Sequence, residues 1–135
     1  MGSTMPRDAS DLLHGTLDVL ILKTLSWDAM HGYAIAEWIE KRGGGELVIV
    51  DAALYKALHR LEDSGSIESE WGVSENNRRA KYYSLTARGR AQLRAEAATW
   101  KRYAHAVHAF LLLNANGNPI AERQDGREQF RRPVD

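Results

Sequence analysis

IESEWGVSENNRRAKYYSL, residues 67–85, decides how the rest of the chain is read. Ile67, Ser69, Trp71 and Val73 alternate with Glu68, Glu70 and Gly72, the period of a half-buried strand. Ser74-Glu75-Asn76-Asn77 has the composition of a turn, and residues 78–85 read as a second strand returning antiparallel to the first. Tyr82 and Tyr83 stand on opposite faces of that strand, so one of them is expected in the core. Charge is distributed unevenly around this hairpin. From Asn76 to Ala95 there are six cations (Arg78, Arg79, Lys81, Arg88, Arg90, Arg94) and no Asp or Glu, in a chain whose 18 basic and 18 acidic side chains balance overall.

The 135 residues fit one domain with a modest core, and 44% hydrophobic with 27% charged residues is ordinary for a soluble globular protein. No stretch approaches the roughly 18 apolar residues that span a bilayer, and MGSTMPRDAS has no apolar core behind a basic start, so neither a membrane partner nor a secretory signal is expected. The absence of cysteine excludes disulfides, thiolate chemistry and cysteine-ligated zinc, and suits the cytoplasm.

Upstream of the hairpin the pattern is helical three times. SDLLHGTLDVLILKTLSWD has Ser10 or Asp11 as an N-cap. Leu13, Leu17, Leu20 and Thr24 lie on one face and Val19, Leu22 and Leu25 on another, which suggests contact with a partner subunit as well as with its own core. MHGYAIAEWIEKRGGG buries Ile35, Trp38 and Ile39 and stops at Gly43-Gly44-Gly45, and ELVIV is a short β-prone run. In DAALYKALHRLEDSGSI, Asp51 is the expected N-cap, Leu54, Leu58 and Leu61 form the apolar face, and Gly65 ends the helix. The opposite face carries Tyr55, Lys56, His59 and Arg60. After the hairpin, Thr86 caps a long helix to about Leu113.

Three helices followed by a hairpin is the order of a winged helix-turn-helix. The fold expected is therefore mainly α with a small β-hairpin, followed by a long C-terminal dimerisation helix. Residues 1–10 read as a flexible arm, 11–86 as the winged domain, 87–113 as the dimerisation helix and 114–135 as a polar, flexible tail. A helix about 12 Å across fits the major groove of double-stranded DNA. The third helix is then the reader through Tyr55, Lys56 and His59, with Ala53 beside them and Tyr33 on the preceding helix. Asn76, Asn77, Arg78, Arg79 and Lys81 form a wing for phosphates or the minor groove. A basic strand is also a common solvated face, and a winged module used only for protein contacts is the competing reading.

In the last helix Leu93, Ala97, Trp100, Ala104, Val107 and Leu111 are spaced 4, 3, 4, 3, 4, a heptad seam expected to pair with the first helix and with a second copy of itself. His105 and His108 have the spacing of a metal pair but no third ligand nearby, and no metal or cofactor is assigned. Neither a nucleophile elbow nor a phosphate loop is present, so no enzyme is read here.

GTLDVLILKTL, MHGYAIA, LYKALHRLEDSGSIESEWG and RRAKYYSLTARGRAQL together resemble the PadR-like transcriptional regulators, over about residues 12–112. The resemblance implies a cytoplasmic homodimer that binds a pseudo-palindromic operator, usually represses, and is released by a small aromatic or cationic effector; the single C-terminal helix is that of the compact subfamily. It further implies a dimer interface including Leu13 and Leu17. It also implies an effector pore lined by Gly15, Asp18, Val19, Leu93, Glu96, Ala97 and Trp100, although Trp100 serves equally as interface core. Ala53 and Lys56 depart from the family, which commonly has Ser and Pro there.

Overall fold

In the computed structural model residues 9–120 are described, with side chains from residue 16 onward. The chain divides into two compact units, one through Ala97 and one from Ala98. The first holds helix α1 (Ala9–Leu25), strand β1 (Met30–His31), helix α2 (Gly32–Arg42), helix α3 (Asp51–Asp63) and strands β2 (Ile67–Val73) and β3 (Arg79–Leu85). It ends within helix α4 (Ala87–Leu111), whose remainder belongs to the second unit. No helix among the described residues is long and apolar enough to cross a membrane.

Removal of leucine and isoleucine from water holds the first unit together. Ile21, Leu22, Ile35, Leu54, Leu58 and Ile67 are almost completely buried, each contributing about 2 kcal/mol of transfer free energy. The many-sided burial of α1 is satisfied inside this core. Leu17, expected at a dimer interface, is 5% exposed within this core; Leu13 and Gly15 lie outside the described side chains. Thr24 is accommodated because its hydroxyl donates to the Leu20 carbonyl at 2.8 Å.

Helix ends are set by glycine and by short polar bonds. Gly65 has φ +81°, and the paired bonds Gly65 N–H to Glu62 O and Ser66 N–H to Leu61 O close α3 in the left-handed manner that glycine adopts without a Cβ clash. The expected N-cap Asp51 is instead the first residue of α3. Val50 takes the cap position with no side-chain bond, and the Asp51 charge lies in the first turn, where the helix dipole favours it. ELVIV forms no strand. Ile49 is buried and its N–H goes to the Glu40 carboxylate at 3.0 Å, which takes the donor that a ladder would have used, while Val48 and Val50 remain exposed.

The sheet has three strands rather than the two expected, in the order β1-β3-β2, all antiparallel. Two residues of β1 pair with β3, Met30 with Tyr83 and His31 with Tyr82, a strand too short for periodicity to reveal. Tyr83 is the core tyrosine. The burial alternation expected of β2 holds only at its base. Trp71 and Val73 lie on the same face as Ile67 but are 57% and 64% exposed, because the hairpin extends beyond the core.

Around Thr86 the start of α4 is fastened to the turn between α3 and β2. The Thr86 hydroxyl lies 2.7 Å from the Gly65 carbonyl and 2.9 Å from that of Ser66, and accepts the Gly89 N–H at 3.0 Å. Buried Ser66 bonds Gln92 and Ser64. In the second unit α4 stops at Leu111. The residues after it form a turn in which Asn114 Oδ1 accepts the N–H groups of Asn116 and Asn118, at 2.8 and 3.0 Å; the rest of the expected tail, 121–135, lies outside the described residues.

A Cβ at Gly89 would sit 2.7 Å from Leu85 Cδ1 and against the Ser66 carbonyl, which is backbone and has little room to yield. Gly89→Ala is therefore expected to destabilise the protein by about 1–3 kcal/mol, read as a lower urea midpoint with an unchanged slope.

Candidate nucleic-acid interface

The N-termini of α2 and α3 and the projecting half of the hairpin border one open cleft of about 720 Å³. His31 caps α2, its Nδ1 accepting the Ala34 N–H at 3.2 Å, which places the ring proton on Nε2. Its ring meets Tyr82 edge-on at 5.3 Å, so the same residue caps the helix and pairs it with the hairpin. Gly32 lies directly under Tyr55. A Cβ there would be 2.8 Å from the phenol ring, so a larger residue would displace the Tyr55 side chain from this position.

Tyr33 and Tyr55 are 70% and 49% exposed at the cleft. Lys56 and His59 are exposed on α3 but do not line it, and His59 stands 3.7 Å from Asp63 in a solvated pair of little strength. Arg60 turns to α1 and bonds Asp18 at 2.6 Å. Ala53, on the first turn of α3, is half-buried and packs in part against the core.

At the hairpin tip the Ser74 N–H donates to Arg78 O and the Asn77 N–H to Ser74 O, with Asn77 at φ +61°, a conformation that asparagine tolerates. Asn76, Arg78, Arg79 and Lys81 line the cleft, and Asn77 is exposed at the tip. Arg79 lies over the Trp71 ring, Cζ 4.3 Å from its centroid. Lys81 differs from the two arginines. Its Nζ is 3.5 Å from Glu62 Oε1, a partly exposed ion pair within the subunit.

Glu62 is the polar hinge of the arrangement. It accepts the Ser69 hydroxyl at 2.6 Å and faces Lys81, tying the C-terminal turn of α3 to both long strands. The Ser69 bond, opposed by burial and aided by the Lys81 charge, holds its carboxyl below the usual glutamate range. Burial, with the nearby Glu62 charge, pushes the Tyr83 phenol up.

Sequence reasoning missed Trp71 as a cleft residue. It also missed Glu37 and Glu75, which line the cleft and oppose its cations; Glu37 is 4.0 Å from Lys41. A run counted from Asn76 onward excludes both acids. Of the expected effector set, Asp18 is bonded to Arg60, Val19 and Ala97 are half-buried, Leu93 packs on the core, and Glu96 accepts from Gln92 at 2.9 Å. In the second unit Trp100, Val107 and Leu111 are exposed, Ala104 is half-buried, and Tyr103 and Phe110, outside the heptad reading, are 69% and 71% exposed.

A helix pair with a β-hairpin beside its second helix, bordering a cleft of exposed aromatics and arginines, defines the winged helix class. Residues 21–95 match the family model of the transcriptional regulator PadR-like family. The fold is similar to a transcriptional regulator from Clostridium thermocellum at 30% identity, with a TM-score of 0.67 over 74% of this chain and 97% of that one. A PadR family transcription regulator from Clostridium difficile is also 30% identical, over 70% of this chain and 97% of that one, with a TM-score of 0.60. Bacillus subtilis PadR, solved in complex with operator DNA, is 25% identical over 59% of this chain and 45% of that one, with a TM-score of 0.54. The chain belongs to the PadR-like family, and is thus a transcriptional regulator and not an enzyme.

Because the folded-state pKa of Glu62 is depressed, its stabilisation is present in full above the ordinary glutamate value of about 4.3 and is lost as pH falls through the lower folded value. Glu62→Gln is expected to be less stable than the parent at pH 7, with the gap closing below about pH 4, in urea unfolding across a pH series.

Proposed function

We propose that the protein is a homodimeric DNA-binding repressor. In each subunit α3 enters the major groove, and Asn76, Asn77, Arg78 and Arg79 hold the backbone or minor groove. The observation that carries this reading is the placement of Arg78 and Arg79. Both are exposed, neither has an ion pair among the described residues, and both line the cleft that Tyr33 and Tyr55 border. Guanidiniums without acid partners can exchange water for phosphate oxygens and release condensed counterions, with no internal pair to break first. Tyr55, Lys56 and His59 supply donors toward base edges along α3. The operator complex of Bacillus subtilis PadR supports the same mode of use for this fold.

Self-association is supported by the second unit. Trp100, Tyr103, Val107, Phe110 and Leu111 expose large apolar surface at helical spacing on α4, and a second copy of that helix is the simplest cover for it. Two-fold symmetry then presents two reading helices to a pseudo-palindromic operator about one turn of DNA apart. Release by a small effector follows the family pattern, with Trp100 as the stacking surface.

Selection of bound duplexes from a random pool is expected to return a two-fold symmetric motif. On that duplex, Arg78→Ala with Arg79→Ala should weaken binding to all sequences and lower the log–log salt slope by about 2. Undiminished binding by the double variant takes the wing off the DNA. Failure of the parent protein to bind any duplex at low salt favours the protein-contact reading.

A further inference from the structure

We infer that Trp71 is a positioning residue whose indole holds the Arg79 guanidinium extended toward the duplex, an inference that rests on the DNA-binding reading and deepens it. The strand register sets up the contact. Ser69 pairs with Tyr83, Trp71 with Lys81 and Val73 with Arg79, so all six share one face of the hairpin, and Trp71 is the diagonal neighbour of Arg79. The lower part of this face is spent on the core, where Tyr83 is 6% exposed. The outer part projects past it, and there an indole stands 57% exposed with Arg79 Cζ 4.3 Å from its centroid. Both residues line the cleft with Tyr33, Tyr55 and Arg78.

An apolar ring of this size in solvent gains from a cation laid on it, and a guanidinium that rests on a ring uses its π face and keeps its in-plane N–H donors for oxygen acceptors. A carboxylate partner would behave differently, because it would occupy those donors and have to be displaced by phosphate. Glu37 and Glu75 line the same cleft, but no ion pair joins either to Arg79 among the described residues, and Glu62 is engaged by Ser69 and Lys81. The wing thus separates its cations by role. Lys81 braces the hairpin against α3, and Arg79 is held on the indole with no ion pair among the described residues. A side chain fixed on a ring before DNA arrives has less rotamer freedom to lose on binding.

The experiment is equilibrium binding to a duplex selected from a random pool, across a salt series, for the parent and for W71A, W71F, R79A and W71A/R79A, with urea unfolding to verify that each variant folds. Trp71→Ala is expected to weaken binding about 2- to 5-fold, the range for an exposed cation–π contact. Its salt slope should stay that of the parent, since no charge is removed. Trp71→Phe should recover most of the loss. Arg79→Ala should lower the slope by about one, and adding Trp71→Ala to it should cost nothing further. Parent-like affinity in W71A overturns the inference, and so does an equal loss from W71A in the R79A background, which would mean that the indole acts on its own. A parent protein that binds no duplex overturns the DNA reading itself, and the inference with it, and is told apart because the parent alone reveals it.

Discussion

One carboxylate fixes the geometry on which the candidate interface depends. The hairpin runs past the hydrophobic core, so its outer half has no apolar contact strong enough to set its angle to α3. Glu62 bridges the gap by accepting from Ser69 and facing Lys81. The hydrogen bond is the stronger of the two, about 1.5–3 kcal/mol for a charged acceptor, against roughly 0–1 kcal/mol for an ion pair between partly solvated groups.

On the other side of the cleft the constraint is steric. Gly32 lets α3 bring Tyr55 down onto the start of α2, and His31 both caps that helix and meets Tyr82 on the hairpin. Two residues adjacent in sequence therefore meet side chains of α3 and of the hairpin. The arginines need no such brace from acids. They gain most by standing free of carboxylates, and the indole of Trp71 gives Arg79 a partner that leaves its charge available.

The helices and the hairpin were legible from sequence because each rests on local chemistry: leucines at i, i+4 and i+7 in α3, glycine after it, and alternation with a turn signal in the hairpin. Legibility failed where a residue's role depends on distant chain. Trp71 alternates as a core residue should, but how far the core extends along β2 is set by helices remote in sequence. Lys81 sits in a basic run, yet its partner Glu62 comes from α3. Leu17 matches an interface pattern, yet its burial comes from the core that its own helix helps to build. ELVIV has strand composition but its donor at Ile49 is taken by Glu40. Strand β1 has two residues, too few for any period to register.

The four tryptophans offer the most direct measurement of whether the cleft meets DNA. Trp71 lines it, whereas Trp27 and Trp38 pack on each other with ring centroids 5.7 Å apart and take no part in it. In a titration of isotope-labelled protein with selected duplex, followed by the indole N–H resonances, the account predicts that the Trp71 signal shifts or broadens while those of Trp27 and Trp38 hold still. Movement of Trp27 and Trp38 with Trp71 unchanged would contradict it.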